Sequence, residues 1–192
     1  EFFCLRTVIF TKEGTVFDVK ECKFPETTTD EFFKYTSKKV TGFAGLQIRN
    51  GAYGSISSPE KSDGTIHFCC DKDLSTEEFF DVVSWIEKNA LGVLNKSLES
   101  FVEQYWYMRD LVIDSLIDEK PDDIVPQIST HKDLSKLCGI VAVHIKGDST
   151  MDIPRFGIEF GCNWEEEHGA GANFKGLDLV ETGSSSVGFD FE

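Results

Sequence analysis

Leu94, Leu98, Phe101, Tyr105, Met108, Val112 and Leu116 recur at intervals of three and four residues. At 3.6 residues per turn that spacing places them on one narrow stripe of a helix, and a stripe of this length must be buried against something. Glu99, Glu103, Asp110, Asp114 and Asp118 fall on the opposite side, with Tyr107 among them and Trp106 on the flank. The pattern predicts a helix over 94–119, ended by Lys120-Pro121-Asp122-Asp123. A second helix is expected just before it. Ser75-x-x-Glu78 is a capping box, and Phe79, Val82, Val83, Ile86 and Ala90 follow at helical spacing. Gly92 is read as a break or bend, so the middle of the chain is a two-helix unit.

The flanking segments carry β patterns. Phe2 to Phe10 and Thr15 to Phe24 read as a hairpin turned at Lys12-Glu13-Gly14. Thr28-x-x-Glu31, followed by Phe32, Phe33 and Tyr35, reads as a second capping box and a short helix. Phe43 to Arg49, Asn50-Gly51 and Ala52 to Ser57 form the strongest hairpin signal, since Asn-Gly accepts the positive φ of a type I′ turn. Ser58 to Gly64 reads as a polar loop and Thr65 to Cys70 as a strand. Beyond 136, Leu137 to Ile145, Arg155 to Cys162, Ala170 to Phe174, Leu177 to Val180 and Val187 to Phe189 suggest an antiparallel meander. The expected fold class is α+β, with antiparallel β-sheets packed on the central two-helix unit. Residues 1–192 are read as a single domain. A sub-division into 1–120 and 137–192 stays open, because 121–136 is a polar connection with two prolines.

Charge narrows the function classes. The formal net charge is -15, while 40% of the residues are hydrophobic and 17 are Phe, too apolar for a disordered chain. Neither nucleic acid nor an anionic membrane surface is expected as a partner, because both need basic residues facing phosphate. A basic protein is the favoured partner, and acidity that serves solubility alone is the competing reading. The cysteines are Cys4, Cys22, Cys69, Cys70, Cys138 and Cys162, with no C-x-x-C. They are read as reduced thiols of a cytoplasmic protein, and Cys69 and Cys70 are expected on opposite faces of one strand. No apolar run is long enough to span a membrane. The chain starts at Glu1 without a Met, which suggests a trimmed form and leaves a removed signal peptide open.

The densest cluster of chemical side chains is Trp164, Glu165, Glu166, Glu167 and His168, ahead of Gly169 and Gly171. One reading is a bulged turn in which Trp164 packs, one Glu accepts backbone N–H bonds and the glycines relieve the backbone. The functional alternatives are partner contact and acid–base or metal chemistry. On a regular strand only Glu165 with Glu167, or Glu166 with His168, would converge. Cys162 can be paired on paper with His168, His144 or His67, but no local signature supports a dyad, and no catalytic residue, metal or cofactor is assigned. Gly157-x-x-x-Gly161 and Gly169-x-Gly171 lack the context of phosphate-binding loops. The acidic helix face, if it is more than a solvated surface, repels itself by a few tenths of a kcal/mol per pair, and a basic partner would relieve that. Tyr107 and Trp106 would then be its aromatic anchors.

The run Phe160-Gly-Cys-Asn-Trp-Glu-Glu-Glu-His-Gly-Ala-Gly171 resembles a signature of an uncharacterised bacterial domain family, Trp-Asp/Glu-Glu-Glu-His-Gly-Leu-Gly. There too a short strand and another glycine follow, here Phe174-Lys-Gly176. Ala170 stands where that family usually has Leu, and the resemblance covers roughly the last 55 residues. Some members look like neighbours of polymorphic toxin systems. The resemblance therefore implies an immunity protein: non-enzymatic, binding and neutralising a basic toxin domain, a nuclease of a contact-dependent growth inhibition system. The partner-binding residues would be Glu99, Glu103, Tyr107, Asp110, Asp114 and Asp118 on the helix and Trp164 to His168 on the signature. The alternatives are a metal-assisted hydrolase using Glu165, Glu167 and His168, and a housekeeping binding scaffold.

Overall fold

The computed structural model describes residues 8–10, 16–18, 27–115 and 120–190. Ser75 and Glu78 make both halves of the expected capping box: the Glu78 N–H donates to Ser75 Oγ at 3.2 Å and the Ser75 N–H to Glu78 Oε2 at 3.2 Å. From there one helix, α1 (Thr76–Ser115), runs for 40 residues. It passes through Gly92 without a break, so there is no two-helix unit. The apolar face does not change register at the glycine: Ile86, Ala90, Val93, Leu94, Leu98, Phe101 and Tyr105 are all buried. One helical glycine costs about 1 kcal/mol relative to Ala. Burying Val93, Leu94 and Leu98 is worth about 1.5–3 kcal/mol each, which outweighs it.

Helix α1 lies on one face of a seven-stranded sheet. Its strands are β3 (Thr28–Thr29), β4 (Phe33–Lys39), β7 (Thr65–Asp71), β8 (Cys138–Ile145), β9 (Arg155–Cys162), β10 (Glu165–Lys175) and β11 (Asp178–Gly183), in the order β11-β10-β9-β8-β7-β4-β3. β8 to β11 form the expected antiparallel meander. β7 and β8 instead pair in parallel, with Phe68 opposite Val143 and Cys69 opposite His144, so the sheet is mixed rather than antiparallel. The reason is connectivity: α1 and the segment after it return the chain to the end of the sheet where β7 began, as a crossover must.

Four other expectations change. Thr28 to Tyr35 is not a helix: it holds β3, the start of β4 and a turn at Asp30 to Phe32 between them. Asp30 Oδ1 accepts the N–H groups of Phe32 and Phe33, each at 2.8 Å, which makes a side-chain-closed turn. From Phe33 the side chains then alternate between the two sheet faces. The Asn50-Gly51 hairpin forms, joining β5 (Gln47–Asn50) to β6 (Ile56–Lys61), but Asn50 pairs with Ile56 across a five-residue loop. That loop packs onto the sheet, with Gly54 against Gly161, so tertiary contact overrides the two-residue turn. β6 also extends into the expected polar loop. Finally, Val187 to Phe189 is not a strand. A 3-10 turn at Ser185–Gly188 lies across β9 and β10, where the absence of a side chain at Gly157 permits contact: a Cβ there would sit 2.2 Å from Gly188 O.

A separate two-stranded ladder pairs β1 (Val8–Phe10) with β2 (Val16–Asp18), matching the expected N-terminal hairpin where it is described. Its turn, Lys12 to Gly14, lies outside the described residues, as do Leu116 and Asp118. The 121–136 connection holds a short helix α2 (Pro121–Ile124) and a 3-10 segment (His131–Lys136). It is packed rather than free: Val125 and Leu134 are buried, and the Tyr105 hydroxyl donates to Pro126 O at 2.5 Å.

Candidate functional site

The first candidate surface is the solvent side of α1. Glu99, Glu103, Tyr107, Asp110 and Asp114 are all exposed there, as the stripe on the opposite side requires. Asp118 lies outside the described residues. Between Ser97 and Asp114 the helix has one basic residue, Arg109, and it turns inward. Its Nε–H donates to Val125 O at 2.9 Å, its Nη2 meets Asp122 Oδ1 at 2.9 Å, and its guanidinium lies 5.6 Å from the Trp106 ring centre. Trp106 is thereby half-buried between Arg109 and Tyr105, at the margin of the surface. Glu99 approaches His131 Nε2 at 3.7 Å. One residue was missed from the sequence. Leu111 is 47% exposed, one helical turn from Tyr107, itself 66% exposed. Its i, i+4 spacing from Tyr107, off the buried stripe, was the available signal.

The second candidate is the signature loop. Asn163 and Trp164 turn the chain between β9 and β10, with Glu165 opposite Cys162. Register resumes only at Ala170 opposite Phe160, so residues 166–169 bulge out against Gly161. Gly169, at φ +60, makes the return, and a Cβ there would meet Phe160 O at 2.4 Å. Trp164 is 1% exposed and packs edge-on against Tyr105. It anchors the loop from beneath and does not present a surface to a partner. Glu166, Glu167 and His168 are exposed. Glu165 Oε1 accepts the backbone N–H of His168 at 3.3 Å and lies 3.3 Å from its Nδ1. The bulge therefore brings together Glu165 and His168, a pair that strand alternation would keep apart. Arg49 braces the turn from the other side: it is buried, donates to Leu137 O at 3.0 Å and also bonds the Asn163 side chain.

The paper dyads of Cys162 do not form. Cys162 is buried and its thiol donates to Glu165 O at 3.6 Å. Burial pushes it and Cys138, its cross-strand neighbour, well above the ordinary thiol range. His144 instead meets Cys69, whose neighbour Cys70 points into the core as expected. Among the described residues no three His, Cys, Asp or Glu side chains converge as metal donors, and no helix is long and apolar enough to cross a membrane.

A family model described as "Domain of unknown function (DUF6985)" matches residues 50–189. The match begins in β5 and takes in β7 and all of α1, well upstream of the segment that carries the signature. No curated protein and no solved structure matches the chain.

Proposed function

The chain belongs to the DUF6985 family, and on that premise we propose that it is an acidic binding protein of the cytoplasm whose binding role is non-enzymatic. Its role is that of an immunity protein: it neutralises a basic bacterial toxin domain, a nuclease of a contact-dependent growth inhibition system. One observation carries this reading. Tyr107 and Leu111 form an exposed apolar patch on α1, bordered by Glu103, Asp110 and Asp114, with Arg109, the one basic residue of the helix between Ser97 and Asp114, turned inward. Binding energy concentrates in aromatic anchors shielded from water by their surroundings, and a rim of one charge steers the opposite charge into place. A surface of this sign fits a groove built to hold nucleic acid. Glu166, Glu167 and His168 offer a second acidic surface.

The test is capture on the immobilised full chain from the native host, at low and high salt, followed by an activity assay of the captured domain. A basic nuclease domain, released by salt and inhibited by the chain, supports the reading. A partner that is not basic, or one whose association survives Asp110→Lys with Asp114→Lys unchanged, removes it.

A further inference from the structure

On the sheet face turned away from α1, three neighbouring strands bring together a thiol, an imidazole and a carboxylate. Cys69 on β7 and His144 on β8 are register partners, and Cys69 Sγ lies 2.9 Å from His144 Nδ1. His144 Nε2 lies 3.3 Å from Glu159 Oε2 on β9. A carboxylate can only accept, so Glu159 selects the Nε2–H tautomer and leaves Nδ1 as an acceptor aimed at the thiol. The side chains of His144 and Glu159 are 21% and 11% exposed, so the pair works in a largely desolvated setting that still opens to water.

Cys69 and His144 line two clefts at once. One, of about 570 Å3, is also walled by Tyr35, Ser37, His67 and Ala142. The other, of about 390 Å3, is walled by Phe33, Asp71, Lys146 and Phe189. Both volumes lie in the range of small-molecule sites. The Phe189 ring centre lies 5.7 Å from that of His144. His67 precedes Cys69 by one strand period and shares its face. Its Nδ1 is 2.8 Å from Ser37 Oγ, so with Ser37 donating, Nε2–H remains free to donate into the larger cleft.

We propose that Cys69, His144 and Glu159 form a nucleophilic site for esters or thioesters of small acyl groups. Cys69 Sγ attacks the carbonyl carbon while its proton passes to His144 Nδ1. The bond to the leaving oxygen or sulfur breaks, and that atom takes the proton from His144. Water, deprotonated by His144, then hydrolyses the acyl-thioester, releasing the carboxylic acid and restoring the thiol. Glu159 holds the imidazole and balances its transient charge, and His67 polarises the carbonyl oxygen. Burial, with Cys70 and Glu159 adding, pushes the Cys69 thiol up to about 12. The resting thiol is therefore protonated, and the proton must leave during attack, which is why the adjacent base matters.

This site is independent of the acidic face of α1, so either reading can fail without the other. The probe is p-nitrophenyl acetate with the reduced full chain near pH 8, followed by p-nitrophenol release, intact mass and peptide mapping. The expected result is one acetyl group on Cys69, absent in Cys69→Ser, and formed at least tenfold more slowly in His144→Gln. Cys138 and Cys162 serve as internal controls for unfolding, and circular dichroism checks each variant. Absence of acetyl at Cys69 together with absence of Cys69-dependent p-nitrophenol release, equal rates in folded His144→Gln, or acetylation of Cys69 together with Cys138 and Cys162 would each overturn the proposal.

Discussion

Tyr105 and Trp164 meet edge to face, with ring centres 5.4 Å apart and planes at 84°. This contact ties the signature loop to the C-terminal half of α1, and Phe101 adds a second ring at 6.4 Å. Trp164 Nε1 is buried with no hydrogen-bond partner among the described residues. Trp164→Ala should destabilise the fold by about 3–5 kcal/mol through the cavity it leaves. Trp164→Phe should cost clearly less, because it keeps a ring and removes the orphaned donor. Urea denaturation of the two variants decides this; equal losses would mean the N–H finds a partner.

Asp110→Lys with Asp114→Lys should leave folding stability within about 0.5 kcal/mol of the parent, since both positions are exposed. Association with a basic partner should slow by about tenfold or more and lose most of its salt dependence. Tyr107→Ala should act on dissociation instead, costing about 1 kcal/mol or more. Stopped-flow or surface-based kinetics at two salt concentrations separates the two effects.

Gly92→Ala should stabilise the protein by up to about 1 kcal/mol. Among the described residues the added Cβ would meet only Leu177 Cδ2, at 3.7 Å, an ordinary contact. Were Gly92 a hinge between two helices, the same change would destabilise. Thermal unfolding reads the sign directly.

Stability should fall on the alkaline side in a way that traces to buried thiols. Cys138 is pushed from 9.0 up to about 12 by burial. A raised pKa in the folded state means its contribution is whole below pH 9 and is lost as pH rises from 9 towards 12, because only the unfolded thiol ionises there. Each such thiol adds up to about 1.4 kcal/mol of lost stability per pH unit. Cys138→Ala should flatten the decline between pH 9 and 11 in denaturant titrations; an unchanged slope would show that the thiol ionises equally in both states.

Much of this molecule was legible one window at a time. The Ser75–Glu78 cap, the stripe from Leu94 to Tyr105 and the exposure of Glu103, Tyr107, Asp110 and Asp114 follow from periodicity and local hydrogen bonding, which need no distant partner. So does the bulge after Trp164, where consecutive polar residues and two glycines conflict with a regular strand. The misreadings at Thr28 and Gly92 came from giving one residue too much weight. Asp30 offered a better turn than Glu31 offered a cap, and the buried face of α1 continued through the glycine.

The sequence by itself determined where the helix begins, which side of it is apolar, the antiparallel meander and the loop that carries the signature. Each depends on residues within a turn or a hairpin of one another. Only the tertiary structure decided that α1 is unbroken, that β7 and β8 run parallel and that the 121–136 connection packs onto α1. It also decided that Cys69 faces His144, 75 residues away, rather than any histidine nearer in sequence. That contact exists because a long crossover returns the chain to pair β8 beside β7, and strand register then fixes which side chains share a face.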